Sequence, residues 1–200
     1  AGGAAAAVCG VRGWLAVAGG MSYVRNLQGE MARTRLDWEE AERDYRRAMA
    51  WDDWNWRPHL GLGNLRAAQA LWYRDPDPAA ERAGKRERAD EAMGHFRESL
   101  ERNPCEMAAE FGLARTLNAA GDAEGALEHF RRAAAYQRRH VFYREQLGIQ
   151  LRRLGRDAEA LEVFRQNVAD GVASEVSLLN LRALERQAAE KAAAVPPPPP

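Results

Sequence analysis

The chain has 200 residues, 46% hydrophobic and 29% charged, a balance that belongs to folded protein and excludes an intrinsically disordered chain. Its 29 basic and 29 acidic residues cancel, so net charge gives no ground for nucleic acid or an anionic membrane as partner. Cys9 and Cys105 stand far apart and alone, which excludes a disulfide framework and a zinc site built on paired cysteines.

Residues 1–21 are apolar but rich in Ala and Gly, with Arg12 in their middle. A spanning helix needs about 20 mainly apolar residues, and a central arginine costs roughly 2.5–3.5 kcal/mol on insertion scales, so this is no intact span. Two readings stand: the remnant of a membrane span with Arg12 and Trp14 at the interface, or an Ala/Gly lead-in to the first helix. Ala16-Val17-Ala18 also has the small-x-small look of a signal cleavage site, without a basic leader before it. The missing initiator Met and the terminal prolines read as a segment of something longer.

From about residue 22 a helical period takes over. The first helix pair carries Gly29 in its first member and Ala41, Tyr45 and Ala48 in its second. The second pair starts near Trp54–Pro58 and runs through Gly61, Gly63, Leu65 and Leu71 to about Tyr73. Asp75-Pro76-Asp77-Pro78 is a double X-Pro break that delays its second helix. That helix bears Ala92, Met93, Phe96 and Leu100 and is closed by Pro104, which cannot extend it. The spacing predicts an insertion of roughly 17–19 residues around 74–90, lengthening both helices by about two turns each.

Two regular pairs follow, predicted at 107–119 with 123–137 and at 141–153 with 157–169. Leu113-Ala114, Leu117, Gly121, Ala126-Leu127 and Phe130 recur 34 residues later as Leu147-Gly148, Leu151, Gly155, Ala160-Leu161 and Phe164. Gly121 and Gly155 stand where a helix must stop and turn, and glycine tolerates the positive φ needed there. Asp122 and Asp157 supply a cap or a first-turn acid to the following helix. Residues 173–194 then read as a capping helix with a Leu178, Leu181, Leu184 stripe, N-capped by Ser174 or Ser177. Residues 195–200 are a polyproline tail.

These residues resemble the tetratricopeptide repeat. The pattern is carried by Leu113-Ala114, Leu117, Gly121, Ala126, Phe130 and Ala133, by the Leu147-Gly148 copy, and by the half-copies Ala92, Phe96, Ser99, Pro104 and Ala41, Tyr45, Ala48. Departures are Arg138 and Asp53 in place of the closing proline, Asn167 in place of an alanine, and Leu36 at the first turn. The resemblance implies an all-α, helix–turn–helix superhelical array of four pairs over 22–172, with one enlarged repeat and a C-terminal capping helix. A second resemblance concerns the order of features. An apolar start leading into Ala-rich repeats and WDDWNWRPHLGLGNL is similar to the region after the last membrane span of bacterial O-antigen ligase-like polymerases.

Chemistry finds little footing. No phosphate loop, nucleophile elbow or HExxH motif is present, so no catalytic residue, cofactor or metal is assigned. His95 and His129 hold equivalent places in successive repeats, but roughly 10 Å of helix packing separates such positions. Arg131-Arg132 with Arg138-Arg139 reads as a solvated face, acids being interleaved elsewhere. Trp38, Trp51, Trp54, Trp56 and Trp72 have two readings: core packing, or an aromatic anchor for a partner or membrane interface.

The first resemblance implies that partners lie in the groove lined by the first helix of each pair. By spacing, the groove set is Tyr23 and Asn26, then Arg57 and Asn64, then Phe111, Arg115 and Asn118, then Phe142, Glu145 and Arg152, with Glu30, Arg33, Leu60 and Ile149 beside them. Amides and guanidinium groups grip a peptide backbone or carboxylate, and rings take its side chains. The expected function is a non-catalytic scaffold binding a peptide or protein. The alternative is an accessory cytoplasmic or periplasmic domain of a bacterial membrane glycan polymerase or O-antigen ligase-like enzyme whose catalytic part lies upstream. The expected location is accordingly membrane-associated in a bacterium, or else cytoplasmic, with oligomeric state left open.

Overall fold

A computed structural model describes residues 2–136 and 140–193, with side chains from residue 17 onward except that of Ala192. The polyproline tail, Arg138-Arg139 and the side chains of Cys9, Arg12 and Trp14 lie outside the described residues. Among the described residues there are nine helices and no strand: α1 Gly2–Thr34, α2 Trp38–Trp51, α3 Trp56–Trp72, α4 Pro78–Arg102, α5 Met107–Ala120, α6 Ala123–Tyr136, α7 Val141–Arg153, α8 Asp157–Ala169 and α9 Glu175–Ala193.

Local chemistry sets the helix ends. Asp37 Oδ1 accepts from the Glu40 amide (3.1 Å), Asn55 from Arg57 (3.1 Å), Asp77 from Ala79 (3.0 Å) and Asp122 from Gly125 (2.8 Å). Pro78 opens α4, where a missing N–H costs nothing. Ser174 caps α9, accepting from Val176 N at 3.1 Å; Ser177 is buried and bonds elsewhere. Gly121 and Gly155 take φ of 92° and 72°. Leu36 adopts the same left-handed turn (φ 63°), an arrangement that costs a side-chain-bearing residue about 1–2 kcal/mol. The closure is shared: Asp37 N donates to Ala32 O at 3.0 Å, as Asp122 N does to Leu117 O at 3.0 Å.

The enlarged pair departs from the expected equal lengthening. Helix α3 has 17 residues and α4 has 25, against 14 in α5 and in α6. The first gains about one turn and the second about three. The added turns of α4 have their own partner: a Cβ at Gly84 would lie 2.4 Å from the Tyr73 ring, and the Arg88 guanidinium stacks on that ring at 4.1 Å. Residues 2–21 are helical and continuous with the first repeat helix. No helix of the described residues is long and apolar enough to cross a membrane.

The chain divides into two compact units, residues 1–116 and 117–200. In the first, Tyr45 is fully buried between α1 and α3, with Ala32, Ala41, Leu62 and Leu65 around it. A Cβ at Gly29 or Gly61 would lie 2.7 or 2.4 Å from its ring. Phe96 of α4 repeats the arrangement against Gly63 and Gly112 (2.7 and 2.4 Å). In the second unit Phe164 packs on Gly148 and shares a core with Leu127, Leu151, Ala160 and Leu184. Helix α9 contributes Leu184 and Leu181 of its leucine stripe to that core, while Leu178 is exposed.

Candidate functional site

The sequence-derived groove residues separate into those left on the surface and those taken up by the fold. In the first unit Tyr23 is exposed, and Asn64 and Phe111 are half-buried. Arg57 and Arg115 are both exposed. Each stacks over a ring of its own helix, Arg57 on Trp56 at 4.7 Å and Arg115 on Phe111 at 5.7 Å. Neither makes an ion pair among the described residues, although the Arg57 charge is felt by half-buried Glu106. Burial pushes the Glu106 carboxyl above its ordinary value, against the pull of Ala108 N–H and of Arg57. Asn26 is buried rather than open, and its Oδ1 has no hydrogen-bond partner among the described residues.

Glu30 and Arg33 are occupied. Glu30 accepts the Tyr45 hydroxyl at 2.6 Å and pairs with Arg33 at 2.8 Å. Burial, then the bond to Glu30, raises the Tyr45 phenol well above its ordinary value.

In the second unit three of the four groove residues serve the fold. Asn118 and Gln150 exchange amide hydrogen bonds (2.7 and 2.9 Å), and Gln150 Nε2 also donates to Ala123 O at 2.9 Å. Glu145 is buried and accepts the hydroxyls of Ser174 and Ser177, the latter at 2.7 Å. Arg152 donates to Asn180 of α9. Phe142 stays exposed beside Tyr143, ring centroids 5.4 Å apart. An open depression of about 460 Å³ is lined by Ile149, Arg152, Arg153, Asp157, Asn180 and Gln187. The capping helix was legible in sequence, but not that it draws on groove residues.

The tryptophans divide between core and surface. Trp38 packs on the Tyr45 core, whereas Trp54 (84%), Trp72 (72%) and Trp51 (40%) are exposed. Arg131 and Arg132 are solvated ion pairs with Glu159 (3.0 Å) and Glu128 (3.4 Å).

His95 meets His59 of α3, the ring centroids 6.4 Å apart and tilted by 50°. No sequence period relates these two positions, because the insertion lies between them. His59 is 6% exposed, and neither ring nitrogen has a hydrogen-bond partner among the described residues. Among the described residues no three His, Cys, Asp or Glu side chains are grouped to hold a metal. Burial, then a guanidinium charge (Arg102 for His59, Arg66 for His95), holds both imidazoles below their ordinary value; Glu98 opposes in each case. The unfolded chain therefore takes up protons near pH 6.5 that the folded chain resists. Stability is full above about pH 6.5 and falls below it, by at most about 1.4 kcal/mol per pH unit for each histidine. Thermal melts between pH 7.5 and 5.5 are expected to show this loss, and His59→Gln to flatten it; an unchanged slope in the variant overturns the assignment.

No protein-family model and no curated protein matches the chain. Solved structures do. YrrB, described as a TPR protein with an unusual peptide-binding site, superposes with a TM-score of 0.58 at 18% identity, covering 80% of this chain and 73% of its own. TTC0263, a thermophilic TPR protein of Thermus thermophilus, gives 0.64 at 12% identity, covering 82% and 80%. Human IFIT1, solved as a dimer with m7Gppp-AAAA, gives 0.72 at 19% identity, with 86% of this chain matched to 40% of that one. At these identities the likeness speaks for the fold, which is that of an all-α tetratricopeptide-type helical array.

Proposed function

We propose that the chain is a non-catalytic protein-interaction module that takes an extended acidic peptide on the first-helix face of its first unit. The supporting observation is the pair Arg57 and Arg115: exposed, each stacked on an aromatic ring, each without a carboxylate partner among the described residues. A stacked guanidinium is pre-oriented and leaves its N–H fork free for a carboxylate. Tyr23, Asn64 and Phe111 supply the amphipathic contacts such a peptide needs. Asn118, Glu145 and Arg152 take no part in this face because their polar groups are already engaged. Peptide-display selection on the wild-type chain should enrich acidic sequences, and Arg57→Glu/Arg115→Glu should lose them with an unchanged circular dichroism melt. Identical selections on the two proteins overturn the reading.

A second reading, an accessory domain of a membrane glycan polymerase, draws on exposed Trp51 and Trp54. They lie in the segment between Ala48 and Asn55, both of which bond Ser22 of α1 at 2.8 Å.

A further inference from the structure

Two imidazoles meet between α3 and α4. His59 is buried, His95 is half-buried beside it, and the ring centroids lie 6.4 Å apart. A neutral imidazole has one N–H donor and one bare nitrogen acceptor, and both His59 nitrogens are buried with no hydrogen-bond partner among the described residues. Such a ring is tolerated there only while neutral, because a buried charge without a partner costs far more than a buried dipole.

The charges around the pair are already committed to one another. Facing His59 are Arg102, Glu98 and His95 of α4, and Asp53 of the connection between α2 and α3. Facing His95 are Arg66 of α3, Glu91 and Glu98 of α4, and Arg46 of α2. Each of these carboxylates is taken by a guanidinium. Glu98 accepts from Arg102 at 2.6 Å, Asp53 lies 3.6 Å from Arg102, and Glu91 lies 2.7 Å from Arg66. Arg46 is paired in turn with Glu42 at 2.6 Å. A proton arriving on either ring therefore meets a second ring and guanidinium groups, and no unengaged carboxylate among the groups that face it.

The place of the contact decides what gives way. His59 lies in the first turns of α3, whereas Gly61 and Gly63 beyond it are packed against the rings of Tyr45 and Phe96. The chain leading into α3 is tied to α4 by Arg102 Nε, which donates to Asp53 O at 2.7 Å. That guanidinium is the one an imidazolium at His59 repels. Asn55 bonds Ser22 of α1 at 2.8 Å and gives the connection a second anchor away from α4.

We infer that the His59–His95 contact is an acid-operated latch: protonation parts the first turns of α3 from α4 and withdraws Arg57, two residues before His59, from the peptide face. The second half of this inference rests on the peptide-face reading; the first half does not.

Amide hydrogen exchange of the wild-type chain, corrected for the intrinsic rate at each pH, should rise at residues 60–63 between pH 7.5 and 5.5. The rise is expected to reach about tenfold for each histidine that takes up a proton below about pH 6.5. Residues 160–168 of α8 should not follow, which separates local release from a general loss of stability. His59→Gln and His95→Gln put an uncharged amide in place of an imidazole, and each should reduce the rise. In parallel, a fluorescent octa-aspartate peptide, ionised throughout this range, should bind the wild type about tenfold more weakly at pH 5.5 than at 7.5. Protonating Glu106, which faces Arg57, or adding positive charge elsewhere would tighten an acidic peptide, so weakening is specific to the latch. No rise at 60–63, an equal rise in α8, a rise that neither substitution reduces, or tighter peptide binding at low pH overturns the proposal. Peptide binding at neither pH overturns the peptide-face reading instead, and exchange alone then decides the latch.

Discussion

Phe96→Ala is expected to cost about 3–5 kcal/mol in urea denaturation, the range for emptying a buried aromatic site. The ring is fully buried and wedged between α3 and α5 where Gly63 and Gly112 let the backbones close on it. Close-packed surroundings relax only partly into such a void, so little of the cost is recovered. The converse substitution fails too. Gly112→Ala places a methyl 2.4 Å from the ring and should cost about 1–3 kcal/mol through overpacking. The two effects share one space, so Phe96→Leu with Gly112→Ala should be less destabilising than the sum of the single changes. Strict additivity would show that ring and glycine are not paired.

Glu145→Ala should cost about 2–3 kcal/mol and free α9, because charge-assisted hydrogen bonds to a buried carboxylate are among the stronger polar contributions. The carboxylate takes two hydroxyls from the start of α9, and Ser177 in turn accepts from Asn167 of α8 at 3.0 Å. Removing it leaves the fully buried Ser177 hydroxyl without its acceptor. Limited proteolysis should then cut near 171–174 in the variant before the wild type. Full stability in the variant would return Glu145 to the role of a partner contact.

Spacing placed Glu145 and Phe142 on the same first-helix face, one turn apart. It contained nothing to say that α9 would engage one and leave the other at 41% exposure. Asn118 and Gln150 lie 32 residues apart, close to the repeat period, so a ladder of amides between neighbouring repeats was legible in principle. That signal belongs to the pair and vanishes when each residue is weighed alone. His59 and His95 were hidden for a different reason: the insertion between them destroys the period that would have related them.

By itself the sequence determined the helices, the turns and the place of the irregular repeat. Each depends on chemistry within a few residues: an apolar spacing of three and four, a capping Asp or Asn, a glycine at positive φ, a proline that cannot extend a helix. Tertiary structure alone decided how the insertion is shared between α3 and α4, since Tyr73 is held by Gly84 and Arg88 across the pair. It also decided which polar residues are engaged within the fold and which stay on the surface. That outcome depends on what covers a helix face, and a pattern along one chain records the face but not its neighbour. The result is two exposed arginines, Arg57 and Arg115, without carboxylate partners among the described residues.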